Sequence, residues 1–427
     1  MPLNNELIRT YTDILKEELI PAMGCTEPIA IAYASSIIAH ALGYAPSSLR
    51  VGLSGNIIKN VKSVIVPMTG GMHGIDSAIC AGIISASPHK RLEVLSTLTE
   101  QDTDRIKRYK ESTPIEIYEL ETENAFEILI EGTFGSSIAV ANLAKRHTNV
   151  IFVKKDGVDI TSEYISLDDM VEKDTTDRST LNVKDIVEFA DTVDLEELSP
   201  YLERQLTLNM EIAKEGIKGE WGASIGKTLF KMAEGNTRMI ARAYASAGSD
   251  ARMSGCELPV CIISGSGNQG ITASVPVLIY GEKMGADKDL LLRALIVSDL
   301  ITIHQKTGIG CLSAYCGAIS AGCGCGCGIA YLNGGKYYEI AHTLVNSIAI
   351  LSGTICDGAK SSCAAKIAMA VEAGILGYEM MKSGHQFYGG DGIITKGVEN
   401  TIKNVSRLAQ KGMSETDKEI IKIMLGK

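Results

Sequence analysis

The sequence predicts an α+β protein that is mostly helical, with a smaller region that contains a mixed or antiparallel sheet. Three observations predict this class. Apolar residues recur at helical spacing in the first 43 residues, short β-branched segments dominate residues 49–157, and a helical pattern rich in Ala and Gly follows from Val183. With 427 residues, the chain is expected to form two domains or one large composite fold.

The individual elements follow from their start and stop signals. We expect a helix over residues 4–20 that stops at Pro21, and a second helix from the N-cap Thr26 to Gly43. Short apolar segments predict strands at 49–53, 63–68, 91–96, 115–121, 125–132, 137–143 and 149–157, several of them antiparallel. Helices are expected between them at 76–85 and 102–109, and the charged stretch 163–184 is the expected boundary of this region.

Composition and charge exclude several classes of function. Hydrophobic residues make up 45% of the chain and charged residues 22%, as in ordinary globular proteins. The net charge of −10 argues against a nucleic-acid partner or an anionic membrane, since either would need a basic surface. No apolar run is long enough for a bilayer-spanning helix and no signal peptide is recognisable, so we expect a cytoplasmic protein. Its eleven cysteines are then core residues, metal ligands or reactive thiols rather than a disulfide framework.

One motif matches a known fingerprint but lacks its context. Gly265, Gly267 and Gly270 have the spacing of a dinucleotide-binding loop after a strand-like segment. The helix expected to follow contains Pro276, and no βαβ unit surrounds the loop. We interpret it as a tight glycine loop, or as a loop whose backbone N–H groups approach a small anion. The seven histidines show no metal-ligand spacing and are expected to be ordinary surface or core residues.

Five cysteines fall within residues 311–327, three of them alternating with glycine at Cys323, Cys325 and Cys327. On a helix these three point in different directions, because successive residues turn by about 100°. On a strand they share a face but span about 13 Å, too far for one ion. Small residues that allow close helix packing explain them better.

Cys25, Cys316, Cys356 and Cys363 remain as candidates for chemistry. Iron–sulfur clusters accept thiolates from widely spaced positions, so these cysteines could share a cluster. The alternative is that they are buried structural thiols, and their spacing does not decide between the two. Asp357 is a plausible N-cap, which would put Cys356 at a helix entrance and Cys363 about two turns in. Cys25 precedes a predicted helix start, where the helix dipole lowers a thiol pKa, although Glu27 would oppose that effect.

Taken together, six motifs resemble the L-cysteine desulfidase family, which is related to the iron–sulfur L-serine dehydratases. They are GCTEP (24–28), SGN-x-x-KN (54–60), VPMTGG (66–71), GSGNQG (265–270), LSAYCG (312–317) and ICDGAKSSCAAKIA (355–368), in order along nearly the whole chain. The resemblance implies a 4Fe–4S cluster held by Cys316, Cys356 and Cys363. It also implies that Cys25 is either the acid/base or a fourth ligand in a resting state. Cys311, Cys323 and Cys325 match no requirement of that family.

The resemblance also implies an architecture and a substrate site. Residues 1–45 and 183–427 would form a helical cluster-binding domain, and residues 46–182 an inserted α+β domain that contributes to substrate binding. The expected substrate is a small amino acid, and the expected assembly is a homodimer. Donors suited to its carboxylate are Asn56, Lys59, Asn60, Ser266, Gly267, Asn268, Gln269 and Lys306. The alternative for Lys59 is a solvated lysine in a strand or turn.

Three hypotheses about the function follow from these motifs. The first is a cluster-dependent lyase that releases sulfide, pyruvate and ammonia from L-cysteine, or acts as a dehydratase on L-serine. The second is a nicotinamide-dependent oxidoreductase, which requires a complete βαβ unit around Gly265–Gly270. The third is a non-enzymatic metal- or sulfur-binding protein that uses Cys323, Cys325 and Cys327. The motifs favour the first.

Overall fold

The computed structural model describes residues 3–165, 176–310 and 313–425, and its architecture confirms the predicted mostly helical α+β class. The helices are α1 (Asn5–Glu18), α2 (Thr26–Leu42), α3 (Gly55–Val61), α4 (Gly74–Ser85), α5 (Glu100–Ser112), α6 (Val183–Thr192), α7 (Ser199–Lys218), α8 (Ile225–Lys231), α9 (Thr237–Met253), α10 (Gly267–Met284), α11 (Lys288–Ile309), α12 (Gly317–Leu332), α13 (Tyr337–Leu351), α14 (Cys363–Lys382), α15 (Val398–Arg407) and α16 (Ser414–Leu425). Short 3₁₀ segments lie at Pro88–Thr97, Thr161–Glu163 and Arg178–Thr180, and a π-helical turn lies at Leu408–Gly412.

A six-stranded mixed sheet forms the β part of the molecule. The strands of the chain are β1 (Ile20–Met23), β2 (Ser48–Leu53), β3 (Ile115–Glu119), β4 (Glu127–Phe134), β5 (Ser137–Ala144), β6 (Val150–Lys155), β7 (Val158–Asp159) and β8 (Pro259–Ile262). The sheet has the order β3-β2-β4-β5-β6-β7, in which β2 and β3 are parallel and all other neighbours antiparallel. One face of it is covered by α2, whose other neighbours include α4.

The helical part is built around α12. Every residue from Ala318 to Leu332 is buried, because α10, α11, α13 and α14 pack around this helix. Cys323, Cys325 and Cys327 therefore lie inside the helical core. A separate two-stranded antiparallel ribbon, β1 with β8, joins the N-terminal segment to this part of the molecule. The proposed division into domains at residues 45 and 183 stays a prediction.

Several predicted elements differ from the observed ones. The segment 91–96 is 3₁₀-helical rather than a strand, with Leu92, Val94 and Leu95 buried. The segment 63–68 forms no strand and contributes only an isolated bridge between Ile65 and His73. Residues 166–175 of the predicted boundary lie outside the described residues. Among the helices of the described chain, none combines the length and the apolar character needed to cross a bilayer.

Candidate active site

Four cysteines from four separate segments line one cavity. They are Cys25, Cys316, Cys356 and Cys363. Charged and polar side chains complete its wall, among them Glu27, Lys59, Asn60, Arg252, Ser266, Asn268, Gln269, Lys306, Ser313 and Lys366. The cavity thus brings together all four candidate cysteines and most of the predicted substrate-binding residues.

Three of these thiols stand at helix N-termini. Cys25 is the N-cap of α2, Cys316 is the N-cap of α12, and Cys363 is the first residue of α14. The predicted caps were therefore wrong at two places: Thr26 is the first residue of α2, and α14 begins after Ser362 rather than after Asp357. Helix starts present free N–H groups and partial positive charge, so three of them favour anions at this cavity.

A short backbone bridge holds Cys316 beside Cys356. Tyr315 and Ile355 form an isolated antiparallel bridge. The Cys316 N–H donates to the Thr354 carbonyl at 3.0 Å, and the Cys356 N–H donates to the Ala314 carbonyl at 2.6 Å. This pairing fixes two cysteines that are 40 positions apart in sequence, which spacing alone could not predict.

The turn between Cys356 and Cys363 packs directly on α3. Gly358 has φ +92°, and a Cβ there would lie 2.4 Å from the Lys59 carbonyl oxygen. Glycine is required here by both the backbone conformation and the close approach. The Cys363 thiol donates to the Gly358 carbonyl, with the sulfur 3.7 Å from the oxygen.

Burial raises the pKa values of three of the cavity thiols, those of Cys25, Cys316 and Cys363. It raises the pKa of Cys25 to about 12, where the Arg252 charge opposes it and Glu27 reinforces it. It also raises the pKa of Cys316 to about 12, and the neighbouring Cys356 adds to the effect. The lowered pKa expected for Cys25 from its place at a helix start is thus outweighed by desolvation.

Asp357 has a different role from the predicted helix cap. It forms ion pairs with Lys360 and Lys366 beside the cysteine turn. Partial burial would raise the pKa of its carboxyl, but the two lysines lower that pKa to about 2. Asp357 therefore stays charged and holds Lys366 at the cavity wall.

The SGN-x-x-KN motif forms the N-cap and most of α3, and of its three predicted substrate residues Lys59 and Asn60 line the cavity. Lys59 is only 2% exposed and pairs with Asp417 of α16, so it is not the solvated lysine of the alternative interpretation. The Asn60 side chain donates to Glu27 Oε1 at 2.9 Å. Asn56 is not among the residues that line the cavity, and its Oδ1 atom is buried without a partner among the described residues.

The GSGNQG motif forms the start of α10. Ser266 is the N-cap, and Ser266, Asn268 and Gln269 line the cavity. Gly267 is not a wall residue, but a Cβ there would lie 2.4 Å from Arg252 Nε, so glycine makes room for that guanidinium. Lys306, in the last turn of α11, also lines the cavity and donates to the Gly310 carbonyl at 2.6 Å.

Sequence reasoning missed two groups at this site. Arg252 belongs to no motif, although it ends α9 at the cavity wall. His147 was taken as ordinary, yet its Nε2 atom is buried without a described partner, and both Glu27 and Arg252 act on its pKa, which burial lowers. Neither could have been found from spacing, because tertiary packing alone brings Arg252 to Cys25 and His147 to Arg252 and Glu27.

The competing sites lack the contexts they require. Cys323 and Cys325 are enclosed in α12 and do not line the cavity, and Cys311 lies outside the described residues. Among described residues, no three His, Cys, Asp or Glu side chains are grouped to hold a single metal ion, and this applies to the cavity cysteines as well. For the nicotinamide hypothesis, Pro276 does not end the helix, since α10 continues through it, but β8 pairs only with β1, antiparallel. The described strands therefore form no βαβ unit there.

The fold and the cavity define a mostly helical α+β protein with a cavity lined by four cysteines and by charged and polar side chains. Residues 89–422 match the family model of the serine dehydratase alpha chain. The chain is 51% identical to a UPF0597 protein of Desulfitobacterium hafniense over 425 residues, which cover 100% of this chain and 98% of the relative. A UPF0597 protein of Lachnoclostridium phytofermentans is 48% identical over 98% of this chain and 100% of its own length. The chain belongs to the serine dehydratase alpha-chain family, which confirms the resemblance to the serine dehydratases.

Proposed function

We propose that this protein is an iron–sulfur-dependent lyase that eliminates sulfide from L-cysteine and gives pyruvate, ammonia and hydrogen sulfide. One observation carries the proposal: Cys25, Cys316, Cys356 and Cys363 line a single cavity together with polar groups suited to an amino acid. Family membership supports amino-acid elimination chemistry in general. The choice of L-cysteine rests on the density of thiols and on the motifs shared with the desulfidases.

The residues of the cavity fit a 4Fe–4S cluster held by Cys316, Cys356 and Cys363. These thiols come from separate segments, carry no disulfide and line one cavity, and the bridge between Tyr315 and Ile355 holds Cys316 beside Cys356. Each thiolate of such a cluster binds a different iron, so the ligands surround a volume larger than a single-ion site. When bound through three thiolates, the cluster would supply a thiophilic Lewis acid with one open iron position.

The protein would hold the substrate by its charged ends. Asn60, Asn268 and Gln269 each line the cavity and keep a buried amide oxygen without a described partner. These oxygens are acceptors that suit a substrate ammonium group. The free N–H groups at the start of α10, next to Ser266, suit its carboxylate. Of the other predicted substrate residues, Lys59 and Lys306 would form part of the cavity wall. Asn56 and Gly267 would contribute through packing behind it.

Cys25 would move the proton. Elimination removes the Cα proton of cysteine while the Cβ–S bond breaks, and the bonding electrons leave with the sulfide. A base must therefore stand beside Cα, and Cys25 is the proposed group; burial raises the pKa of its thiol, and the Arg252 charge opposes that rise. The aminoacrylate that leaves tautomerises to an imine, which water hydrolyses to pyruvate and ammonia. No net electron transfer occurs, so no redox partner is needed.

L-Serine is the second candidate substrate, because the matching family model describes a serine dehydratase alpha chain. The same groups would bind its ammonium and carboxylate, and the leaving group would be hydroxide instead of sulfide. The products would again be pyruvate and ammonia, so release of sulfide separates the two reactions.

The test is an anaerobic reconstitution with iron and sulfide, followed by measurement of iron content and of sulfide and pyruvate release from L-cysteine and L-serine. Cys316→Ala is the test variant. Cys323→Ala is the matched control, because Cys323 is a buried thiol of the same helix that does not line the cavity. We expect the first variant to lose iron and activity and the second to keep both. Bound iron without turnover of either amino acid would refute the activity, and equal iron loss in both variants would refute the ligand set.

A further inference from the structure

Arg252 is a buried cation in the cavity wall without a counter-ion among the described residues. It lies in the last turn of α9 and is 3% exposed. Its Nε atom is excluded from solvent and has no hydrogen-bond partner in the described part of the chain. No ion pair joins its guanidinium to a described carboxylate.

The other buried cations of this cavity are satisfied by the protein itself. Lys59 pairs with Asp417, and Lys306 donates to the Gly310 carbonyl. The acidic residue of the same wall, Glu27, is engaged elsewhere: its Oε1 accepts from Asn60 and its Oε2 accepts from the Thr26 hydroxyl. Glu27 therefore leaves the guanidinium unpaired.

The start of α10 is shaped around this guanidinium. A Cβ at Gly267 would lie 2.4 Å from Arg252 Nε and 2.5 Å from a Val260 methyl group, so only glycine leaves the space. The guanidinium consequently packs beside a helix N-terminus, where free N–H groups and the helix dipole also attract an anion. Two independent sources of positive potential face the same part of the cavity.

Burying an unpaired charge is costly, and the cost is recovered when an anion arrives with the ligand. A carboxylate suits a guanidinium in particular, because its two oxygens match the planar N–H fork. An amino-acid substrate carries one carboxylate, and the cavity already offers amide oxygens for its ammonium group.

We propose that Arg252 binds the α-carboxylate of the amino-acid substrate, a role predicted from the sequence for Lys59 and seven other residues. This inference rests on the proposed function, since it takes the ligand of the cavity to be an amino acid. It makes Arg252 the residue that selects substrates with a free carboxylate.

Binding without turnover tests the assignment. The probes are L-alanine, which has no leaving group, and L-alaninamide, which has no carboxylate, titrated by calorimetry into the anaerobically reconstituted protein. Wild type should bind L-alanine more tightly than L-alaninamide. Arg252→Gln should bind L-alanine at least about 30-fold more weakly and lose the preference, as expected when one partner of a buried charge pair is removed. Arg252→Lys should keep part of the preference, because lysine retains the charge but not the fork.

Arg242→Gln is the matched control. Arg242 lies on the same helix, is paired with Glu372, and does not line the cavity, so its removal should leave the preference unchanged. A wild type without preference for L-alanine, or an Arg252→Gln protein that retains it, overturns the assignment. Should Arg252→Gln fail to fold, Arg252→Lys decides, and unchanged affinity for L-alanine in that variant overturns it. If the Arg252-dependent preference is present but neither cysteine nor serine is turned over, the lyase proposal fails and the carboxylate site stands.

Discussion

A single methyl group added at Gly326 tests how closely the two helices that carry Cys316 and Cys363 are packed. Gly326 lies in α12, and a Cβ there would be 2.4 Å from the Gly374 carbonyl oxygen and 2.6 Å from the Gly374 carbonyl carbon of α14. Both contacts are to backbone, so no side-chain rotation relieves them. To reach normal contact distances, the helices would have to separate by about 1 Å.

The size of the effect follows from two opposing terms. Overpacking of a well-packed core costs up to about 3 kcal/mol when backbone has to shift. Replacing glycine by alanine inside a helix returns about 1 kcal/mol. We therefore expect Gly326→Ala to reduce the free energy of unfolding by about 2 kcal/mol. Because the N-terminal ends of α12 and α14 carry Cys316 and Cys363, the same shift should reduce iron uptake on reconstitution.

Urea unfolding of the iron-free proteins measures the first effect, and iron content after reconstitution measures the second. Gly281→Ala is the control, since a Cβ at Gly281 in α10 meets Leu291 Cδ1 at 2.8 Å, the far end of a flexible side chain. That variant should stay within about 1 kcal/mol of wild type, because the leucine can rotate away. A Gly326→Ala protein as stable as the control would refute the argument that glycine is needed for this helix contact.

Two further variants test buried charges. Burial raises the pKa of the Asp299 carboxyl well above its ordinary value, with a hydrogen bond from Gln205 opposing it, so the folded state favours the protonated form. The free energy of unfolding of the wild type then falls as pH rises from the unfolded pKa of about 3.9 to the higher pKa of the folded state. Asp299→Asn has no carboxyl to ionise, so over that range its stability relative to wild type should increase by up to about 1.4 kcal/mol per pH unit. Urea midpoints from acid to neutral pH measure this, and a difference independent of pH would contradict it. Asp417→Asn should weaken the docking of α16 on Lys59 by about 2 kcal/mol and speed limited proteolysis of the C-terminal helix, whereas an unchanged cleavage rate would show that the ion pair does not hold it.

Local signals in the sequence predicted the helix ends correctly where the capping residue depends only on its own backbone conformation. Gly43 stops α2 with φ +80°, a left-handed conformation that glycine adopts without strain. At Asp357 the same reasoning failed, because the carboxylate is drawn into ion pairs with Lys360 and Lys366. Lysines three and nine residues further along the chain can thus draw a good N-cap residue into ion pairs instead.

The strand predicted at 91–96 failed for a different reason. Leu92, Val94 and Leu95 are buried, but the segment packs against α2 in 3₁₀ turns, and Arg91 has φ +47°. An alternating run of six residues is too short to distinguish a strand from such turns. The pattern therefore predicted the wrong backbone conformation for this apolar segment.

The site could be predicted only in part, since its members are joined by tertiary contacts. The cysteine motifs pointed to thiols that line one cavity, but the bridge between Tyr315 and Ile355 is what brings two of them together. The charged partners of the cavity show the limit more clearly. Lys59 lay in a recognisable motif and is paired within the protein, whereas Arg252 lay in none and is unpaired among the described residues. A motif identifies a segment near the ligand, but burial and pairing decide which of its charges remains available.

The cavity combines features that favour negative charge with burial that disfavours it. Helix starts at Cys25, Cys316 and Cys363 and the cations Arg252 and Lys366 supply positive potential, yet desolvation keeps the pKa values of the thiols high. A neutral thiol cannot use that potential, whereas a substrate carboxylate or a metal-bound thiolate can. The same surroundings that raise the pKa values of these thiols therefore favour an anion that brings its own charge, or a thiolate whose charge a metal offsets.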